Sequence, residues 1–218
     1  MTTTGAPASL SLAIDIPDGY IGLPRDDIDR AITRTEATFA QVGPGPVSSA
    51  APGVLQALRV LLARITRLNA AYCGLGRHSA SDGQLISSNL IVSLNEYGER
   101  RNPRLTLAEL LTRRCGGGET FKNIELVEVS GKPVLMLDRV RTLPTPDLPG
   151  RTPDLDQQIY QLEAVVPSSD GSAIAVIEFS TTFVEYGEEF LPMIIAMASS
   201  VHITTSAPRS DTPSSLDL

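Results

Sequence analysis

The stretch "QIYQLEAVVPSSDGSAIAVIEFSTT", Gln158 to Thr182, is two apolar arms joined by a turn. Tyr160, Leu162, Ala164 and Val166 recur at every second position of the first arm; Ile174, Val176 and the Ile177–Phe179 pair fill the second. Period two marks a strand, because successive side chains of an extended chain point to opposite faces. Asp170-Gly171 supplies turn chemistry between the arms, so the segment reads as a β-hairpin. Hairpins join antiparallel strands, and a chain that repeats the device builds an antiparallel sheet rather than a doubly wound one.

The device does repeat. "FKNIELVEV" and "PVLMLDRVRT" flank Ser130-Gly131-Lys132, with Ile124, Leu126 and Val127 in one arm and Val134 to Leu137 in the other. Upstream, "AAYCGLGRH" and "QLISSNLIVSLNEYG" flank "SASDG", where Asp82-Gly83 suits a type I′ turn. Both parities of the second segment become apolar towards its end, as in a central strand covered on both faces. "LSLAIDIPDG" alternates Leu10, Leu12, Ile14 and Ile16 with smaller or polar residues, a further half-buried strand closed by Pro17-Asp18-Gly19.

Between these lie helical patterns. "PRDDIDRAITRTEATFAQVG" carries Ile28, Ile32, Thr35 and Phe39 on one stripe, with acids crowding its start, where the helix dipole favours them. Leu55, Leu58, Leu62, Ile65 and Leu68 give "PGVLQALRVLLARITRLNAA" a continuous apolar face, predicting a helix over 52–71. "LTLAELLTRRCGGG" is a short helix in which Thr106 and Glu109 fit a capping box and Gly116 to Gly118 end it. In "EYGEEFLPMIIAMASSV" a start near Glu188 puts Pro192 about one turn in, where its missing donor matters little. The proline-rich "LPTPDLPGRTPDLD" is a crossover or excursion. The expectation is an α+β fold: a mostly antiparallel sheet of about six to seven strands built from hairpins, flanked by four helices. It occupies 9–203 as a single domain, with disordered segments at 1–8 and 204–218.

Composition narrows the function. The chain has 218 residues, 42% of them hydrophobic, and a net charge of −7. A nucleic-acid partner is disfavoured, because phosphate binding needs a concentrated positive field. Cys73 and Cys115 stand alone, without metal-ligand spacing, and are expected as free thiols in a reducing compartment. The N-terminus lacks a basic leader pattern and no run is long enough to span a bilayer, so a cytoplasmic location is expected. No cofactor motif is present: Gly74-Leu75-Gly76 lacks the rest of a phosphate-loop fingerprint.

"CGLGRHSASDGQ", Cys73 to Gln84, gathers the residue types of a nucleophilic site: Cys73, His78, Ser79, Ser81 and Asp82. A triad needs these groups to converge, yet neighbours in a strand face opposite ways. A polar hairpin tip is the plainer reading, with a ligand-binding rim at Arg77 and His78 as its alternative. Arg100, Arg101 and Arg104, mixed with Glu96, Glu99 and Glu109, read as a charge-balanced surface or as a contact for an acidic partner.

The segment "YQLEAVVPSSDGSAIAVIEFSTTFVEYGEEFLPMIIAMASSVHI" resembles the C-terminal unit of PsbP-like (DcrB-like) domains, a long hairpin followed by a helix that packs on the sheet. "SLAIDIPDGY" resembles their first strand, and the whole chain is similar to an actinobacterial branch of that superfamily. Its members are mostly non-catalytic: a photosystem extrinsic subunit, a Ran-binding import factor, chaperones that escort secreted bacterial effectors. The resemblance implies a binding scaffold with no catalytic, cofactor or metal residue to carry over. The function expected is therefore a non-catalytic protein-binding domain, an adaptor or chaperone for a secreted or toxic partner. Its route would be a groove between the 52–71 helix and the outer face of the central strands. An immunity-type inhibitor using acidic charge is the alternative, and an enzyme centred on Cys73 or His78 a third. An exposed sheet edge would also permit a homodimer.

Overall fold

Three hairpins supply six of the strands seen in the computed structural model, which describes residues 9–41, 43–66, 69–143 and 156–206. In chain order come β1 (Ser9–Ala13), β2 (Tyr20–Gly22), α1 (Ile28–Ala40), α2 (Pro46–Thr66), β3 (Ala70–Ser79), β4 (Leu85–Glu96) and α3 (Pro103–Gly116). Then follow β5 (Asn123–Val129), β6 (Lys132–Leu143), β7 (Gln157–Pro167), β8 (Ala173–Thr181), a 3-10 turn (Val184–Phe190), α4 (Leu191–Ser200) and β9 (His202–Ser206). Seven strands make one antiparallel sheet in the order β2-β3-β4-β8-β7-β6-β5, while β1 and β9 pair separately as a two-stranded ribbon. The α+β architecture with four α-helices is thus as the alternation implied.

Register sorts side chains between two layers. On one face, the α4 face, Ile177 stands between Val92 and Ala164, and Phe179 between Leu90 and Leu162. Phe190, Ile194, Met197 and Ala198 close over them, and Leu12, Ile14 and Ile203 extend the cover. Full burial of such side chains contributes about 1.5–3 kcal/mol each, so this layer is the main core. On the opposite face, the α3 face, Leu107 packs on Leu135, Leu137, Val165 and Ile174. Near the other sheet edge Ile65 of α2 joins Ala70, Cys73, Leu23 and Ile91.

Several local expectations are corrected. α2 begins at Pro46, six residues before the expected start, keeps Pro52 inside it, and has ended before Ala70 opens β3. Proline is favoured at the first helical position, which is why Pro52 reads as a start, but here it lies inside a helix that begins at Pro46. The cap of α3 is Asn102, whose side chain accepts from the Arg104 N–H at 2.9 Å, with Pro103 following. Thr106 is instead buried and donates to the Gly171 carbonyl at 2.9 Å. The turn at 80–84 is not type I′: Gly83 alone carries positive φ, at 88°, with Ala80 and Gln84 paired around it. The two-residue loop of positive φ is Ser130-Gly131, at 51° and 75°, between the paired Val129 and Lys132. α4 starts at Leu191 with Pro192 in its first turn, and Glu185, Glu188 and Glu189 belong to the 3-10 turn before it. β9 runs to Ser206, past Thr204 where composition placed the start of a tail. The stretches 1–8 and 207–218, and the proline-rich 144–155, lie outside the described residues.

Candidate functional site

The α3 face is covered only in part. α3 shields the β5–β8 side and α2 the Cys73–Ile91 corner, so the corner where a groove was expected is filled by Ile65. Among the described residues, the stretch of β2, β3 and β4 beyond that corner carries no helix. Ile21 pairs with Leu75, Leu75 with Asn89, Arg77 with Ser87 and Ser79 with Leu85, all on this face. Ile21 is 75% exposed, Leu75 46% and Leu85 51%. Across β8, β7 and β6 the same row continues as Ser180, Gln161 and Arg139. The result is an open patch with an aliphatic rim, a polar centre and the exposed Arg77.

Between this patch and α3 lies a charge network. Arg114 forms a bidentate pair with Glu163, at 2.6 and 3.0 Å, and also reaches Glu119 at 3.1 Å. Arg139 contacts Glu119 at 2.6 Å, Gln161 at 2.8 Å and Glu163 at 3.4 Å. Both guanidiniums lie over the Phe121 ring, 5.3 and 5.2 Å from its centre. The Glu163 side chain is 5% exposed and so depends on these cations. Burial works against the Arg114 charge, but Glu163 and Glu119 outweigh it and hold the group protonated. Burial likewise opposes the Glu119 charge, and hydrogen bonds from Arg114 and Arg139 keep its carboxyl below the usual range. Glu178, opposite Glu163 in the register, has no such pair: burial and then the Glu163 charge push its carboxyl up. A shallow cleft of about 510 Å³, lined by Arg114, Glu119, Arg139 and Arg141, opens beside the network.

The residues singled out from sequence fall into separate places. Arg77 is exposed on the open patch. His78 faces the other way, packed between the rings of Tyr20, at 4.8 Å, and Phe190, at 5.5 Å, and burial lowers its pKa. Cys73 is buried on the α3 face and burial raises its thiol, so Cys73 and His78 stand on opposite sides of the sheet. Arg100, Arg101 and Arg104 follow β4 at the far end of the sheet and do not join Arg77. Arg100 pairs with Asp170 at 3.1 Å, Arg101 with Glu109, and Arg104 with Glu128 at 2.8 Å. Arg100 and Arg101 precede α3 and Arg104 lies in its first turn, so the three are engaged in ion pairs around the start of that helix. Sequence reading missed the network itself. Its signal was a lone Glu inside each apolar strand, Glu163 in "YQLEAVV" and Glu178 in "AVIEFS".

No protein-family model matches the chain. No curated protein matches it either. Among solved structures, it is similar to LpqN of Mycobacterium tuberculosis, described as involved in cell envelope biogenesis. Identity is 12% over 94% of this chain and 88% of LpqN, with a TM-score of 0.38, too low a likeness to carry functional weight. Among the described residues, no helix is long and apolar enough to cross a membrane.

Proposed function

We propose that this chain is a non-catalytic protein-binding domain, an adaptor or chaperone of PsbP-like type, and that its partner docks on the open part of the α3 face. One observation carries the reading: Ile21 and Leu75 stand exposed as a cross-strand pair, and Leu85 is exposed on the same face further along the sheet. Aliphatic side chains gathered on one sheet surface are removed from water when a partner covers them, and such patches mark interaction sites. Arg77 and the polar Ser87 and Asn89, which lie between the aliphatic groups, would supply the hydrogen bonds that set register and orientation.

The opposed placement of Cys73 and His78 favours a non-catalytic role, since nucleophile and base must lie within hydrogen-bond reach. The immunity-type alternative requires an acidic contact surface, whereas this patch carries Arg77 and borders Arg139 and Arg141. A cytoplasmic location remains part of the proposal.

The test is the pair Ile21→Ser and Leu75→Ser. Ile21 is mostly and Leu75 about half in solvent, so stability should stay within about 1 kcal/mol of the parent. A partner that co-purifies at fixed stoichiometry from the cell of origin should be lost from both variants. Retention of that partner at parental yield sinks the proposal.

A further inference from the structure

On the α4 face, at the β5–β6 side of the sheet, a second cleft of about 240 Å³ opens beneath the junction of the 3-10 turn and α4. Met136, Leu162 and Leu191 provide apolar wall, and Asp138, Glu188 and Tyr160 provide polar atoms. Asp138 is only 6% exposed, yet among the described residues its Oδ2 has no hydrogen-bond partner. Tyr160 also lines the cleft, where burial and then the nearby Asp138 charge push its hydroxyl pKa up. A buried carboxylate oxygen without a donor is costly and calls for one. Lys122, whose backbone N–H donates to the Asp138 carbonyl at 2.8 Å, has its ammonium engaged by Glu188 on the rim, and Arg139, next in sequence, is committed to Glu119 and Gln161 on the other face. Glu125, also lining the cleft, adds a further negative charge.

We propose that this cleft binds a primary ammonium group carried on a short alkyl chain, the ammonium seated on Asp138 Oδ2 and the chain along Met136, Leu162 and Leu191. An ammonium fits better than a guanidinium. The buried unpartnered acceptor is the single atom Oδ2, which a compact ammonium satisfies as a point donor, whereas a planar guanidinium fork is matched to a pair of oxygens. The acidic rim favours approach of a cation. The site lies on the opposite face from the open patch and does not rest on the proposed docking role.

The ammonium has two sources, a free alkylamine or a lysine side chain of another protein, and two probes separate them: hexylammonium and Nα-acetyl-lysine N-methylamide. Each is titrated into the full chain and followed by amide and side-chain NMR. Saturable shifts confined to Asn123, Glu125, Asp138, Tyr160, Glu188 and Leu191 are expected for at least one probe, and the tighter one identifies the source. Asp138→Asn, near-isosteric, should weaken binding by at least about tenfold. Should that variant fail to fold, the parent titrated with neutral hexanol serves instead, and hexanol should bind at least about tenfold more weakly than hexylammonium. Absence of saturable shifts with both probes, or equal binding of hexanol and hexylammonium, overturns the proposal.

Discussion

Replacing Arg114 by Met keeps an unbranched stem of similar reach and removes the guanidinium. Glu163, 5% exposed, then loses its bidentate partner and retains only Arg139 Nη2 at 3.4 Å. Removing one member of a buried pair typically costs about 3–5 kcal/mol. Because Arg139 remains as a partial substitute, the loss belongs near the lower end, about 3 kcal/mol. For a domain of this size that corresponds to a fall in Tm of about 6–12 °C. Urea denaturation at neutral pH, monitored by far-UV circular dichroism, should show the midpoint falling with the slope unchanged. Adding Glu163→Met to Arg114→Met removes both charges and leaves Arg139 paired with Glu119 at 2.6 Å. Most of the lost stability should return, because apolar replacement of a buried pair is commonly neutral. A loss below about 1 kcal/mol for the single variant, the scale of a surface pair, would refute the assignment of a buried and interdependent network.

Glu178 makes the opposite case. Its folded-state pKa is raised, so the fold binds its proton more tightly, and its unfavourable contribution grows as pH rises from the unfolded value through the folded one. Glu178→Gln should therefore stabilise the protein at pH 7 and lose that advantage in acid, read from Tm against pH. The Asp170 carboxyl accepts from Ser172 Oγ, Ser168 Oγ and the Ser172 N–H, which together hold it at about 2. Its contribution is present above the unfolded carboxylate range and fades as pH falls towards about 2, so Asp170→Ala should cost about 1–2 kcal/mol at pH 7 and progressively less in acid. Gly187 lies against Tyr160, and an added Cβ would enter that ring. Gly187→Ala should cost about 1–3 kcal/mol by overpacking, whereas Gly83→Ala, with open space around it, should show only the strain of its positive φ. Chemical denaturation of both variants decides this.

Local pattern was enough for the hairpins, because alternation in "QIYQLEAVVP" and a turn glycine are contiguous signals that need no distant partner. It was enough for α3 and α4 as well. Partnerships over long sequence separations were not readable. Leu10 and Leu12 declare a strand, but nothing near them says that it pairs with Thr205 and Ile203 instead of joining the main sheet. The partner strand is written in Thr and Ser, which composition alone assigns to a tail. Asn102 and Pro103 outcompeted Thr106 for the start of α3 because the Gly171 carbonyl, 65 residues away, satisfies the Thr106 hydroxyl. The charge network is of the same kind: Arg114 and Glu163 are 49 residues apart, and only the sheet register brings them together. Cys73 and His78, adjacent enough to invite a catalytic reading, are separated by the simple parity of a strand.

The central claim, that the open α3 face receives a protein partner, is tested most directly by placing a photoreactive side chain at Leu75 and, separately, at the exposed Ser169 on the β7–β8 turn. Irradiation in the cell of origin should give a discrete covalent adduct of one protein partner from position 75 and none from position 169. Adducts of equal yield from both positions, or from Ser169 alone, would contradict it.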